Sequence, residues 1–155
     1  MKIKILSCVG FYVFLLFSCS KSSDQITHIN CDNLITDTLG TNDNAEVRLP
    51  NSFSPNADGL NDIAIPRIHN IQSLTYTIYD ENNTVILNTT IGNGWNGSNA
   101  SGTSIKYYYR IQAVTNSNHH IGICGELYRL TCYPSGIPVS TFQFDDPNEV
   151  LANCP

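Results

Sequence analysis

The stretch Leu74-Thr75-Tyr76-Thr77-Ile78-Tyr79, followed by Asp80-Glu81-Asn82-Asn83 and then Thr84-Val85-Ile86-Leu87-Asn88-Thr89-Thr90, reads as a β-hairpin. Its first arm alternates with period two and is rich in β-branched and aromatic residues, which fit a pleated, half-buried surface. Four polar residues of turn type separate it from the returning arm. Downstream, Gly92 to Gly102 is a long loop carrying Trp95, the only tryptophan of the chain. Ile105 to Val114, with Tyr107-Tyr108-Tyr109, is the strongest strand, Asn116 to His119 turn the chain, and Ile121 to Cys132 make the next strand.

Upstream, Val47, Leu49 and, past Pro50, Phe53 alternate like an edge strand over Ala45–Phe53, where a proline is tolerated. Short strands at this spacing, with no long helical period, predict an all-β fold, an immunoglobulin-like antiparallel β-sandwich. The sandwich spans residues 45–132, after a polar linker at 19–44, and is followed by a less regular extension at 133–155. In that extension Asp146-Pro147-Asn148-Glu149 has the N-cap and proline of a single helical turn.

The chain opens with Lys2 and Lys4, then a mostly apolar run from Ile5 to Phe17. That pattern is a secretory signal over residues 1–18, too short to span a bilayer. Leu16-Phe17-Ser18-Cys19 resembles the lipobox of bacterial lipoproteins, with Phe17 bulkier than usual, which makes Cys19 the expected lipidation site and a lipid the expected link to the membrane. Loss of Lys2 and Lys4 takes the net charge from −5 to −7. Nucleic acid and anionic membrane surfaces need a basic footprint, so neither is expected as a partner. Only 14% of residues are charged, so solubility rests on neutral polar loops, as in many surface β domains.

Four cysteines remain in the exported chain: Cys31, Cys124, Cys132 and Cys154. In an oxidising compartment they predict two disulfides. Were Cys124 and Cys132 in one strand, eight residues at about 3.3 Å each would separate them by roughly 26 Å. Bridged Cα atoms lie within about 7 Å, so each should pair with Cys31 or Cys154. Cys-x7-Cys without a matching histidine pair is a poor zinc pattern.

Two motifs carry a family resemblance: Asn51-x-Phe53-x-Pro55-Asn56-x-Asp58-Gly59-x-Asn61-Asp62 and Gly94-Trp95-Asn96-Gly97, set around the Tyr-Thr-Ile-Tyr strand. Their order, from Val47 to Cys132, resembles the gliding-motility-associated C-terminal domain, the type B sorting domain of type IX secretion. The resemblance implies the sandwich fold, contact with secretion machinery and a place in the cell envelope at the outer membrane. Family members commonly carry an Arg-Trp-Gly segment where Asp80-Glu81-Asn82 stands here, and end where this chain continues for about twenty residues.

Asn56, Asp58, Asn61 and Asp62 are the candidate metal site, since calcium takes six to eight oxygens from such groups. Counted from Asn56, the twelfth position is Arg67 and not the glutamate that closes a helix-loop-helix calcium loop. The alternative is that these side chains bond their own backbone in Asx turns while Gly59 takes positive φ. No other cofactor is expected. Trp95 is either a core plug or, with Tyr107, Tyr108 or Tyr109, a platform for stacking a glycan. Adjacent tyrosines alternate faces, so at least one should point outward. His119-His120 is expected to be solvated at a turn tip. No nucleophile elbow, zinc-protease helix or phosphate loop is present, so a non-enzymatic binding or assembly module is expected. The rivals are a glycan-binding surface lipoprotein and a secretion cargo carrying its own address.

Overall fold

The structure, a computed structural model, describes residues 31–40, 43–100 and 105–155. Seven strands, β1 (Glu46–Arg48), β2 (Ser52–Phe53), β3 (Arg67–His69), β4 (Ile71–Tyr79), β5 (Val85–Thr90), β6 (Lys106–Thr115) and β7 (His120–Arg129), precede one 3-10 turn at Val139–Thr141. Five of them form one sheet in the order β2-β7-β6-β4-β5, and β1 pairs with β3 in a second layer. The fold is therefore all-β with two sheets, as predicted, although the second layer is only two strands wide. The lipidation site Cys19 and the signal over 1–18 lie outside the described residues.

The period-two pattern sets the core. Register places Leu74 beside Ala113 and Tyr76 beside Ile111, while Ile111 faces Ile123 and Tyr107 faces Leu127 across β6 and β7. These rows share one face of the sheet, and Tyr76, Ile78, Tyr107, Ile111, Ala113 and Leu127 are fully buried. Each fully buried isoleucine or leucine contributes about 1.5–3 kcal/mol. Both hairpins are closed by a side chain at the turn. Asp80 Oδ1 accepts from the N–H groups of Asn82 and Thr84, both at 2.8 Å. Thr115 Oγ1 accepts from Ser117 and His119.

Several expectations are corrected. The single edge strand over 45–53 is two strands in different sheets, broken where Pro50 supplies no N–H. β2 then runs parallel to β7, whereas the other pairings between the described strands are antiparallel. The strand expected to reach Cys132 stops at Arg129, so Cys132 lies beyond it. β3 was not foreseen, because Arg67, Ile68 and His69 are all exposed and carry no alternation. Asp146–Glu149 forms a turn and not a helical turn, although Asp146 Oδ1 does accept from the Asn148 N–H at 2.9 Å.

The largest correction concerns the linker. Residues 31–37 are not a free tether but lie along the edge of β7. Asp37 N–H donates to the His120 carbonyl at 2.9 Å, and Thr36 Oγ1 exchanges hydrogen bonds with both main-chain groups of Gly122. The Gln112 carboxamide reaches across from β6 to bond both the N–H and the carbonyl of Ile35. Gly122 permits this approach, since a Cβ there would stand 2.7 Å from Leu34 Cβ and 2.9 Å from the Ile35 carbonyl oxygen. The cysteines pair as Cys31–Cys124 and Cys132–Cys154, with Cα separations of 6.2 and 5.1 Å. Each end of the domain is thus stapled to β7 or to the chain just past it.

The histidines at the β6–β7 turn complete this strap. They are not simply solvated: His119 Nδ1 pairs with the buried Asp43 carboxylate and His120 Nδ1 with Asp37. A hydrogen bond from the His120 main chain, then one from its ring, holds the Asp37 carboxyl below its ordinary range. The His119 ring does the same for Asp43.

Two predictions follow from the strap. Replacing Cys31 and Cys124 together by serine removes a closure of 93 residues, and the chain-entropy argument expects a loss of up to about 4 kcal/mol, read as a lowered denaturant midpoint. Carboxyls with depressed folded pKa values stabilise above their unfolded pKa and lose that contribution as pH falls through the folded value. Stability should therefore be full above about pH 4 and decline below it. In Asp37→Asn/Asp43→Asn the acid limb of a Tm-against-pH profile should be flatter; an unchanged limb would mean these pairs do not couple to folding.

Candidate functional site

The motif residues 51–62 run from β2 into a loop that bonds itself. Asn56 Oδ1 accepts from the Asp58 N–H at 3.0 Å, and Asp58 Oδ1 from the Leu60 N–H at 2.8 Å. Asp62 spans the loop, with one carboxylate oxygen on the Ala57 N–H at 2.6 Å and the other on the Gly59 N–H at 2.9 Å. Ala57, Gly59 and Asn61 all take positive φ, a conformation that these local acceptor bonds hold in place. The candidate calcium ligands Asp58 and Asp62 thus face N–H donors, the Asx arrangement. Among the described residues no group of three or more His, Cys, Asp and Glu is placed to hold a metal.

The second motif meets the first from behind. Ala64 and Trp95 form an isolated antiparallel bridge, with N–H to carbonyl bonds of 2.8 and 2.9 Å. Gly94 allows it, because a Cβ would fall 2.5 Å from Ile63 Cγ2 and 2.8 Å from the Ala64 carbonyl oxygen. Trp95 is 2% exposed. Its ring packs on Phe53 at 5.1 Å and edge-on to Tyr107 at 4.7 Å, and its Nε1–H donates to the Ser98 carbonyl at 2.7 Å. Gly97 takes φ +81°, and a Cβ there would meet the Arg129 side chain and Pro55. Phe53, Pro55, Trp95 and Gly97 are therefore one packed unit drawn from both motifs.

This overturns the glycan platform. Trp95 and Tyr107 are buried in the core, and Tyr108, on the opposite face, is only 6% exposed. Tyr109 points inward with Ile78 and Ile111 and is half-buried. No triple-tyrosine ring is offered flat to solvent, although alternation does place Tyr108 on the outer face.

The polar face of the first motif meets the C-terminal extension, a contact that sequence reasoning missed. Asn51 Nδ2 donates to the Thr141 carbonyl at 2.8 Å while its Oδ1 accepts from the Gln143 N–H at 2.6 Å. Asn61 holds Asp146 in the same way, at 3.0 and 2.8 Å. Arg67 Nε donates to Asp145 at 2.8 Å, with Arg48 Nη2 3.6 Å away. That pairing, Arg67 first, holds the Asp145 carboxyl below the usual carboxylate range. Beside these contacts lies an open groove of about 580 Å³, lined by Pro50, Leu60, Ile63, Ile65, Arg67 and Pro147 among others. The only sequence hint of this contact was Asp145-Asp146 downstream of two arginines.

Trp95→Ala should remove the contact that joins both motifs to the sheet. The expected cost is about 3–5 kcal/mol, measured by chemical denaturation, and Trp95→Phe should recover part of it.

Compared with known proteins, residues 47–124, half of the chain, match the family described as CHU_C, the type IX secretion signal domain. No curated protein and no solved structure matches. The match takes in both motifs and the strands that carry them, and it ties the chain to type IX secretion and to a secreted or cell-envelope destination. The chain belongs to the type IX secretion signal domain family.

Proposed function

We propose that this protein is a non-enzymatic, lipid-anchored protein of the cell envelope, held at the outer membrane through Cys19, whose sandwich serves as a surface binding or assembly module. The observation that carries this reading is the motif loop. Its Asn56, Asp58 and Asp62 side chains accept from its own backbone, and Trp95 and Phe53 brace it from behind. Such a loop is a fixed shape for another macromolecule to contact, not a set of free acids and bases. Among the described residues, titratable groups such as Arg67 with Asp145 and His119 with Asp43 are engaged in pairs, not in the nucleophile-and-base arrangement that hydrolysis requires.

A second reading is favoured by the family membership: the domain is the chain's own export address, read by the secretion machinery. Protease shaving of intact cells, with and without a working type IX system, separates the two. Cleavage in both backgrounds is expected if the lipid route delivers the module. Cleavage only with the system working would make the domain an address, and protection in both would sink the surface reading. Cys19→Ser should move the protein from the membrane to the soluble fraction; retention in the membrane would sink the lipid anchor.

A further inference from the structure

We propose that the motif face is a reading surface for an acidic peptide, and that residues 141–149 of this chain are its resident ligand. The inference concerns binding by the folded domain and stands whether or not the domain is an export address.

The chemistry of the contacts is that of peptide recognition. The two asparagine carboxamides each present one donor and one acceptor to main-chain groups. Asn51 bonds the Thr141 carbonyl and the Gln143 N–H; Asn61 bonds the carbonyl and N–H of the single residue Asp146. Between them the Ser52 N–H donates to the Gln143 carbonyl at 3.2 Å, a strand-like contact on the edge of β2 away from β7. These bonds hold main-chain groups without regard to side chains: next to Phe142, which is extended, as in strand addition to a sheet edge, and at Asp146, where the segment turns. Selectivity comes from charge: Asp145 lies against Arg67 and Arg48, and guanidinium–carboxylate bonds are among the stronger polar contacts.

Two further observations separate acceptor from ligand. Every acceptor group, Arg48, Asn51, Ser52, Asn61 and Arg67, lies within the family match at 47–124, whereas residues 141–149 lie beyond it. The resident segment also fits imperfectly. Glu149 takes a bond from Asn61 through Oε2, yet its Oε1 is buried without a partner among the described residues, a costly arrangement. The open groove beside the segment, walled by Pro147 on one side and Leu60 and Ile63 on the other, gives an incoming strand a place to start. Contacts outside the reading face also retain the segment: Phe142 packs against Tyr128 at 5.2 Å in a small apolar cluster with Leu130 and Leu151, and the Cys132–Cys154 link closes the extension.

The test uses the full mature chain with a specific protease site inserted between the exposed Ser135 and Gly136. It also carries Cys132→Ser and Cys154→Ser, which leave Cys31–Cys124 intact. After cleavage, the fragment from Gly136 onward should leave on dilution while emission from Trp95, the only tryptophan, stays that of the folded protein. A fluorescent peptide of residues 138–150 should then bind one to one. Its Asp145→Asn version should bind at least about tenfold more weakly, and added salt should narrow that gap. Three results would overturn the proposal. Trp95 emission becoming that of the unfolded chain on fragment loss would make the segment an inseparable part of the fold. A folded chain that fails to rebind the peptide, or equal binding of both peptides, would remove the site or its charge selectivity.

Discussion

Everything in the domain leans on the burial of one indole. Trp95 lies between Phe53 and Tyr107 and bridges to Ala64, so it is where both sequence motifs and the long central strand meet. Among the described residues the five-stranded sheet is covered by two short strands and loops. A narrow, thin second layer cannot bury an apolar face with small side chains. A single large aromatic ring, hydrogen-bonded through Nε1–H to Ser98, supplies the volume that additional strands would otherwise provide. The glycine before it admits the Ala64 carbonyl and the Ile63 and Ile65 side chains, and Gly97 admits Arg129. The Gly-Trp-Asn-Gly motif is thus a packing device in which Gly94, Trp95 and Gly97 have separate tasks.

The alternating strands were legible because their pattern reports local burial. Tyr76, Ile78, Ile111 and Leu127 lie inward and are fully buried, as period two requires. The Asx turns of residues 56–62 were also legible, because Asn and Asp bond backbone within a few positions. Reading failed where partners are distant in sequence. Nothing near His119 or His120 announces Asp43 or Asp37, and nothing near Asn51 announces Thr141. Polar composition alone made residues 31–37 look like linker, yet their main chain follows the edge of β7. The tryptophan was weighed between core and ligand platform, and only the three-dimensional position of Phe53 and Tyr107 decides between them.

Both chain ends therefore converge on β7. The N-terminal strap covers its edge near His120 and Gly122, β2 pairs with it at Tyr128 and Arg129, and the C-terminal extension closes against β2. An exposed strand edge invites pairing with other chains. Here that edge is occupied from within over much of its length by segments held with disulfides. The arrangement explains how a small domain with a thin second layer can present a polar, asparagine-rich surface and still keep its edge from open-ended pairing.

The position of Cys31 also sets a leash. In the proposed lipid-anchored form, with the chain held at Cys19, twelve residues run to the first staple, and a fully extended chain of that length spans at most about 43 Å. The Cys31–Cys124 bond hands any pull directly to β7, inside the sheet, and bypasses the hydrogen bonds of residues 34–37. Without that bond, tension would peel the strap away and let the domain drift outward by the length of the freed segment. In that proposed form the disulfide works as a stop on travel: it limits how far from the membrane the domain can stand, and it directs mechanical load into the strand flanked by its neighbours on both sides.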